Sequence, residues 1–292
     1  MTKLPKMVET VLNDYIRLFH KHLPETLEGL YLHGSIALNS FVDEFSDIDF
    51  ITITKHRLSK EDSDVLTLIH KSIQHTYQKP ELDGVYILKE DIGKMDPSSK
   101  DENEMYIYYN NGELNCGAYF NFNPITWYLF KYKGIRVLGP EISSYEIELS
   151  SEQMREYVLS NMNTYWAGRV LSLENSIDEV KNYPTSVIDN EVEWSILGVL
   201  RQYYTLKESS IISKQDAGTY GLQQLPEEWH GLIKEAMKIR HGVDVKSSYS
   251  VEERVKHTLE FLKYLICVCN NLKNDSYSEK NRRVRKVNGR II

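Results

Sequence analysis

The chain has 292 residues, of which 41% are hydrophobic and 26% charged, with a formal net charge of −7. That balance is ordinary for a globular protein with its own core, and no run of about 18 apolar residues is present to form a membrane-crossing helix. The acidic sign argues against general nucleic-acid binding, which wants a basic surface.

Met7, Val11, Leu12, Ile16, Leu18 and Phe19 recur at near-helical spacing, so a helix is expected over 6–23, stopped by Pro24. This N-terminus is charged and amphipathic and lacks the apolar stretch of a signal peptide, which points to the cytoplasm. Residues 27–32 read as a short apolar strand. Gly34-Ser35 breaks it, and Ile36–Phe41 begins a helical stretch. Residues 47–54 alternate as a strand. A helix is expected over 60–78 and another strand over 83–88. Residues 90–125 are polar and aromatic and resist assignment, and 126–138 predict a further strand ending at Gly139-Pro140.

From Ser151 onward glycine becomes sparse and helical periodicity takes over. Helices are expected over 151–178, 191–212, 226–240 and 251–273, the first capped by Ser150 or Ser151 with Glu152 in its opening turn. The end of the chain gathers Lys280, Arg282, Arg283, Arg285, Lys286 and Arg290 against Asp275 and Glu279. A disordered basic tail over 274–292 is expected there. The remainder is then more acidic than the whole, which suits a cationic partner. The plan is an α+β chain with a sheet-containing domain over 1–148 and an all-α domain over 149–273. Cys116, Cys267 and Cys269 show neither zinc nor redox-pair spacing and are expected to be buried structural thiols. The histidines outside position 33 share no metal-ligand spacing.

One stretch carries chemistry. In Ser46-Asp47-Ile48-Asp49-Phe50 the two aspartates are two apart on a predicted strand. Side chains alternate there, so both carboxylates point to one face while Ile48 and Phe50 point to the core. Two such carboxylates repel one another unless a cation sits between them. Hard oxygen ligands of this kind suit Mg²⁺, which also binds phosphates. Earlier, Leu32-His33-Gly34-Ser35 ends a strand and opens a helix. Glycine lets backbone N–H groups approach a phosphate, and the serine hydroxyl adds a donor. Asp83, at the start of the next strand, is the candidate third carboxylate, either as general base or in the metal shell. His33 is expected to be a packed strand end. Tyr106, Tyr108, Tyr109 and Tyr119 fit either a substrate cleft or a strand with one buried face.

Gly34-Ser35 followed by Asp47-x-Asp49 resembles the signature of the DNA polymerase β-like nucleotidyltransferase superfamily. The wording LHGSIALNSF…FSDIDFITI is most similar to the aminoglycoside adenylyltransferases that modify streptomycin and spectinomycin. Trp194–Tyr204 and Ser213-Lys214…Tyr220–Pro226 echo that family's helical domain. The resemblance implies a mixed-sheet nucleotidyltransferase domain followed by an all-α domain, transferring AMP from ATP to a hydroxyl of an aminoglycoside or aminocyclitol. In that reading Gly34 and Ser35 meet the triphosphate, and Asp47 and Asp49 bind Mg²⁺. Asp83 stands where the family usually has a glutamate base. Arg201 and Lys214 meet the nucleotide phosphates, and Glu191 meets the cationic acceptor, with Glu193 competing for that role. The region 106–117 lacks the tryptophan of streptomycin-binding members, which favours a spectinomycin-like acceptor. The remaining expectations are a monomer with no nucleic-acid or membrane partner. The rival readings are a nucleotidyltransferase acting on another small molecule or on a protein, and a nucleotide-binding module without catalysis.

Overall fold

The computed structural model describes residues 4–95, 105–243 and 249–288, with side chains as far as Leu272. The chain divides after Ser150 into two compact units.

The first unit is built on a six-stranded mixed sheet in the order β5-β4-β3-β2-β1-β6. Its strands are β1 (Leu27–Leu32), β2 (Ile48–Thr54), β3 (Leu82–Ile87), β4 (Tyr106–Asn110), β5 (Glu113–Gly117) and β6 (Ile135–Leu138). Among the described residues only β2 and β3 are parallel, and the other neighbours run antiparallel. A parallel pair needs a crossover, which α3 (Lys60–Thr76) supplies. The Ser59 hydroxyl and the Asp62 carboxylate close a capping box at its start, satisfying two amides that the first turn leaves open.

Both faces of the sheet are covered. On one, α1 (Lys6–His22) and α3 bury Val11, Tyr15, Phe19, Leu66 and Ile69 against Ile48 and Phe50. On the other, α4 (Pro124–Lys133) lays Trp127 and Phe130 over Ile51, Ile53, Val85 and Ile87. The first face holds one polar knot. The Tyr86 hydroxyl bonds the Tyr15 hydroxyl at 2.8 Å and His70 Nε2 at 2.6 Å, which satisfies groups that would otherwise be stranded in the core.

Two stretches differ from the sequence reading. Most of 126–138 is helix α4 rather than strand, because Asn123 caps the amides of Ile125 and Thr126 and Pro124 occupies the first turn. Only β6 remains of the expected strand. Within 90–125, β4 and β5 form a hairpin whose turn residues Asn111 and Gly112 both have positive φ. Asn-Gly is the usual turn chemistry for this geometry. Tyr106, Tyr109 and Tyr119 are buried, and Tyr109 stacks on His70 at 3.7 Å, so these rings pack the core.

The second unit is helical. Its elements are α5 (Ser151–Asn161), a π-helical turn (Met162–Trp166), α6 (Ala167–Ser176), α7 (Thr185–Glu208), α8 (Lys214–Gln224), α9 (His230–Arg240) and α10 (Val251–Asn288). The axis is α7, which packs against α5, α8, α9 and α10 and buries Ile188, Val192, Ile196, Val199 and Leu200. It begins earlier than the periodicity suggested, directly after Pro184, and ends at Ser209 in the left-handed region. The backbone of α10 runs to Asn288, and 289–292 lie outside the described residues. Cys269 is buried, but Cys116 and Cys267 are exposed, so the expectation of three buried thiols holds for one of them. No helix among the described residues is long and apolar enough to cross a membrane.

Candidate functional site

The parallel register of β2 and β3 sets Asp49 directly beside Asp83. Residues in register on parallel strands share a face, here the face that Ile51 and Val85 continue into the core under α4. The two carboxylates therefore stand at the edge of that core, half-buried, with the more exposed Asp47 two residues before Asp49. Lys79 reaches Asp47 at 3.9 Å and Glu81 at 3.0 Å.

This crowding shows in Asp83. Burial, followed by the negative charge of Asp49, raises its carboxyl from the usual range to about 7, while a hydrogen bond from Asn110 opposes the rise and Asp47 and Glu81 add to it. Asn110 Nδ2 donates to Asp83 Oδ2 at 2.5 Å, and Asn111 Nδ2 donates to Asn110 Oδ1 at 2.6 Å. The hairpin thus delivers an amide chain to the carboxylate. Nothing in the sequence reading found Asn110, although the Asn111-Gly112 turn signal would have placed it at a strand end.

The Gly34-Ser35 element lies on the same carboxylates. Gly34 opens the short helix α2 (Gly34–Ala37) at φ +59, and a Cβ there would come within 1.8 Å of Asp49 Oδ2. Only glycine tolerates both the backbone angle and that approach. The amide of His33 donates to the Asp49 carbonyl at 3.0 Å, tying the turn to β2. The Ser35 hydroxyl and His33 Nε2 are withdrawn from solvent and make no hydrogen bond among the described residues. His33 is buried as a strand end, and burial lowers its pKa to about 4, so it is neutral at physiological pH.

The donor set fits Mg²⁺. Two adjacent carboxylates, one of which raises the proton affinity of the other, gain from a cation between them, and oxygen ligands suit a hard ion. Among the described residues no group of three acidic, histidine or cysteine side chains closes into a cage. Mg²⁺ does not need one, since it keeps several waters and commonly takes one or two carboxylates plus substrate phosphates.

In the helical unit Glu191, Glu193 and Lys214 are held by ion pairs. Glu191 on α7 accepts from both Arg169 Nε, at 3.1 Å, and Arg169 Nη2, and from Ser195 Oγ at 2.6 Å. Arg169 in turn lies 5.6 Å from the centroid of the Trp194 ring. Glu193 faces another way, accepting from Lys214 Nζ at 3.0 and 3.1 Å with Arg240 Nη1 at 3.5 Å. Lys214 opens α8 beneath the cap of Ser213, whose hydroxyl accepts from the Asp216 amide. Burial lowers the Lys214 pKa. Glu193 opposes that, and the charges of Arg240 and Arg201 add to it, so Arg201 and Lys214 share one electrostatic neighbourhood.

Residues 170–264 match a family described as the aminoglycoside adenylyltransferase C-terminal domain. A crystal structure of spectinomycin adenyltransferase AAD(9) from Enterococcus faecialis with ATP and spectinomycin is similar in fold. Its TM-score is 0.59 at 17% identity, over 87% of this chain and 99% of that one. No curated protein sequence matches the chain.

Proposed function

We propose that the chain transfers AMP from ATP to a hydroxyl of a cationic aminoglycoside or aminocyclitol, a reading supported by the match of residues 170–264 to the aminoglycoside adenylyltransferase C-terminal domain family. The observation that carries this reading is the in-register placement of Asp49 beside Asp83 with Gly34 pressed onto Asp49. It supports assigning phosphate contact, cation binding and proton acceptance to one short stretch of sheet.

Each residue has a task in the reaction. The amides around Gly34 and the unspent Ser35 hydroxyl hold the triphosphate. Asp47 and Asp49, with Asp83 at their side, would hold Mg²⁺, which when bound neutralises charge on the phosphates. In the helical unit Arg201 and Lys214, which share one electrostatic neighbourhood, are the residues assigned to phosphate contact. Asp83, in register with Asp49 and held by Asn110, accepts the proton of the acceptor hydroxyl. The acceptor oxygen forms its bond to the α-phosphorus as the bond to the bridging oxygen breaks, and pyrophosphate leaves with that electron pair. Most of the acceleration comes from positioning and charge neutralisation.

Glu191 is the acid assigned to the acceptor. Glu193 is engaged by two cations, whereas Glu191 is engaged by one. A carboxylate has about four acceptor positions, so Glu191 can keep Arg169 and Ser195 and still take an ammonium. A spectinomycin-like acceptor is favoured because the described part of 106–117 offers tyrosines and asparagines and no tryptophan. That AAD(9) was crystallised with spectinomycin supports the same choice.

The test is pyrophosphate release from Mg²⁺-ATP with single acceptors, namely spectinomycin, streptomycin, other aminoglycosides and a lincosamide. Release with an aminocyclitol, absent in Asp49→Asn, is the expected result. No release with any acceptor, despite ATP binding, would overturn the assignment of the acceptor class.

A further inference from the structure

Glu193 stood in the sequence as a second candidate for contact with the acceptor, but the fold gives it other work. It sits on α7 with 7% of its surface exposed, and both of its carboxylate oxygens lie within hydrogen-bond reach of Lys214 Nζ on α8. Arg240 approaches the same carboxylate from α9. An ammonium carries three N–H donors. Two of these go to Glu193, and among the described residues Nζ makes no further hydrogen bond. The third is left for a ligand oxygen. A lysine is otherwise a point charge on a flexible four-carbon stem, and here the carboxylate fixes where that charge stands.

We propose that Glu193 is a positioning residue for nucleotide binding: it keeps Lys214 charged and aimed at a phosphate oxygen without itself touching nucleotide or acceptor. This rests on the reading of Lys214 as a phosphate contact given above. Two effects compete. A carboxylate beside a phosphate site repels the phosphates, so its removal could tighten binding. Against this, Lys214 is largely buried, and its remaining charged neighbours are Arg201 from α7 and Arg240 from α9, both of which disfavour its proton. The acid of its own first turn, Asp216, is engaged by Ser213. With Glu193 gone the ammonium loses the carboxylate that it pairs with among the described residues, and a buried cation in that position sheds its proton or swings away. Burial therefore decides in favour of weakened binding.

The experiment measures binding of a non-hydrolysable ATP analogue with Mg²⁺ by calorimetry. It uses the full chain as wild type, Lys214→Met, Glu193→Gln and the double variant, between about pH 6.5 and pH 8.5. Glu193→Gln is expected to bind about tenfold more weakly at the upper pH, because burial without the carboxylate favours the neutral amine. That loss should shrink toward about pH 6.5, where the ammonium is regained. The double variant should bind no more weakly than Lys214→Met. Glu193→Asp, which keeps the charge, should recover most of the affinity. Wild-type or tighter binding by Glu193→Gln overturns the proposal, as does a loss that persists undiminished in the Lys214→Met background. Wild-type binding by Lys214→Met instead overturns the phosphate role of Lys214 itself. If Glu193→Gln does not fold, Glu193→Gln/Arg240→Met compared with Arg240→Met carries the same test.

Discussion

The acids of the two units live under opposite conditions. In the sheet unit Asp49 and Asp83 are set side by side, and burial, with the charge of Asp49 added, lifts the Asp83 pKa to about 7. In the helical unit Glu191, Glu193 and Glu235 each lie on a cation: Arg169, Lys214 and Arg254 respectively. The first arrangement stores unfavourable charge that a bound cation would relieve. The second spends its charge on holding helices together. Equal chemical groups thus have unequal consequences when removed, and that contrast can be attacked experimentally.

The largest effect is expected at Asp49. Asp49→Asn should lower pyrophosphate release at least about a thousandfold, since a metal site contributes several kcal/mol, while thermal melting shows no loss of stability. A melting temperature well below wild type would mean that the carboxylate is structural. In the helical unit the sign reverses. Arg254 is 3% exposed and binds both Glu235 and Asp189 at 2.5 Å. Arg254→Met removes the buried cation from the buried Glu235 carboxylate and the half-exposed Asp189 and should cost about 3–5 kcal/mol, read by denaturant unfolding. Gly34→Ala comes next. The added methyl collides with Asp49 at a backbone angle that alanine resists. Turnover should fall about a hundredfold, as expected for a displacement of about 1 Å at the reacting groups, and the cost in stability should stay near 1–2 kcal/mol.

The smallest effect sharpens the contrast most. A carboxyl whose folded-state pKa is raised costs stability once ionised. The penalty is absent below the ordinary carboxylate pKa and complete above about 7. Asp83→Asn should therefore melt a few degrees higher than wild type above about pH 7 in the absence of divalent cations. The two curves should converge toward about pH 4. The same variant should lose about a hundredfold or more in turnover if Asp83 is the base. A variant less stable at high pH would show that Asp83 is relieved by contacts rather than burdened by its neighbours.

Much of this contrast was visible in the sequence, but unevenly. The alternation over Asp47–Thr54 and the Gly34-Ser35 break fixed which side chains share a face, because strand geometry is local. That Asp83 would stand beside Asp49 depended on the β2–β3 pairing, a tertiary choice that spacing alone does not determine. Asn110 was hidden because its place is set by a hairpin whose strands are polar and aromatic on both sides. Glu191 and Glu193 could not be separated as a pair of nearby acids. Two residues apart on a helix they point to different sides, and their partners Arg169, Lys214 and Arg240 come from three other helices. The Pro124 helix was misread because aromatic and branched residues suit strands, whereas the Asn123 cap decided the matter.

The pairing of β2 with β3 also has a bearing on tolerance to error. Neighbouring strands lie about 4.8 Å apart whatever side chains they carry, so the separation of the Asp49 and Asp83 backbones is gauged by the hydrogen-bond ladder. Length can be added to the α3 crossover without altering that gauge. A slip of one residue along the ladder would turn Asp83 to the opposite face, leaving a well-formed sheet with a dismantled site. What inheritance must guard most closely here is therefore the phase of two strands.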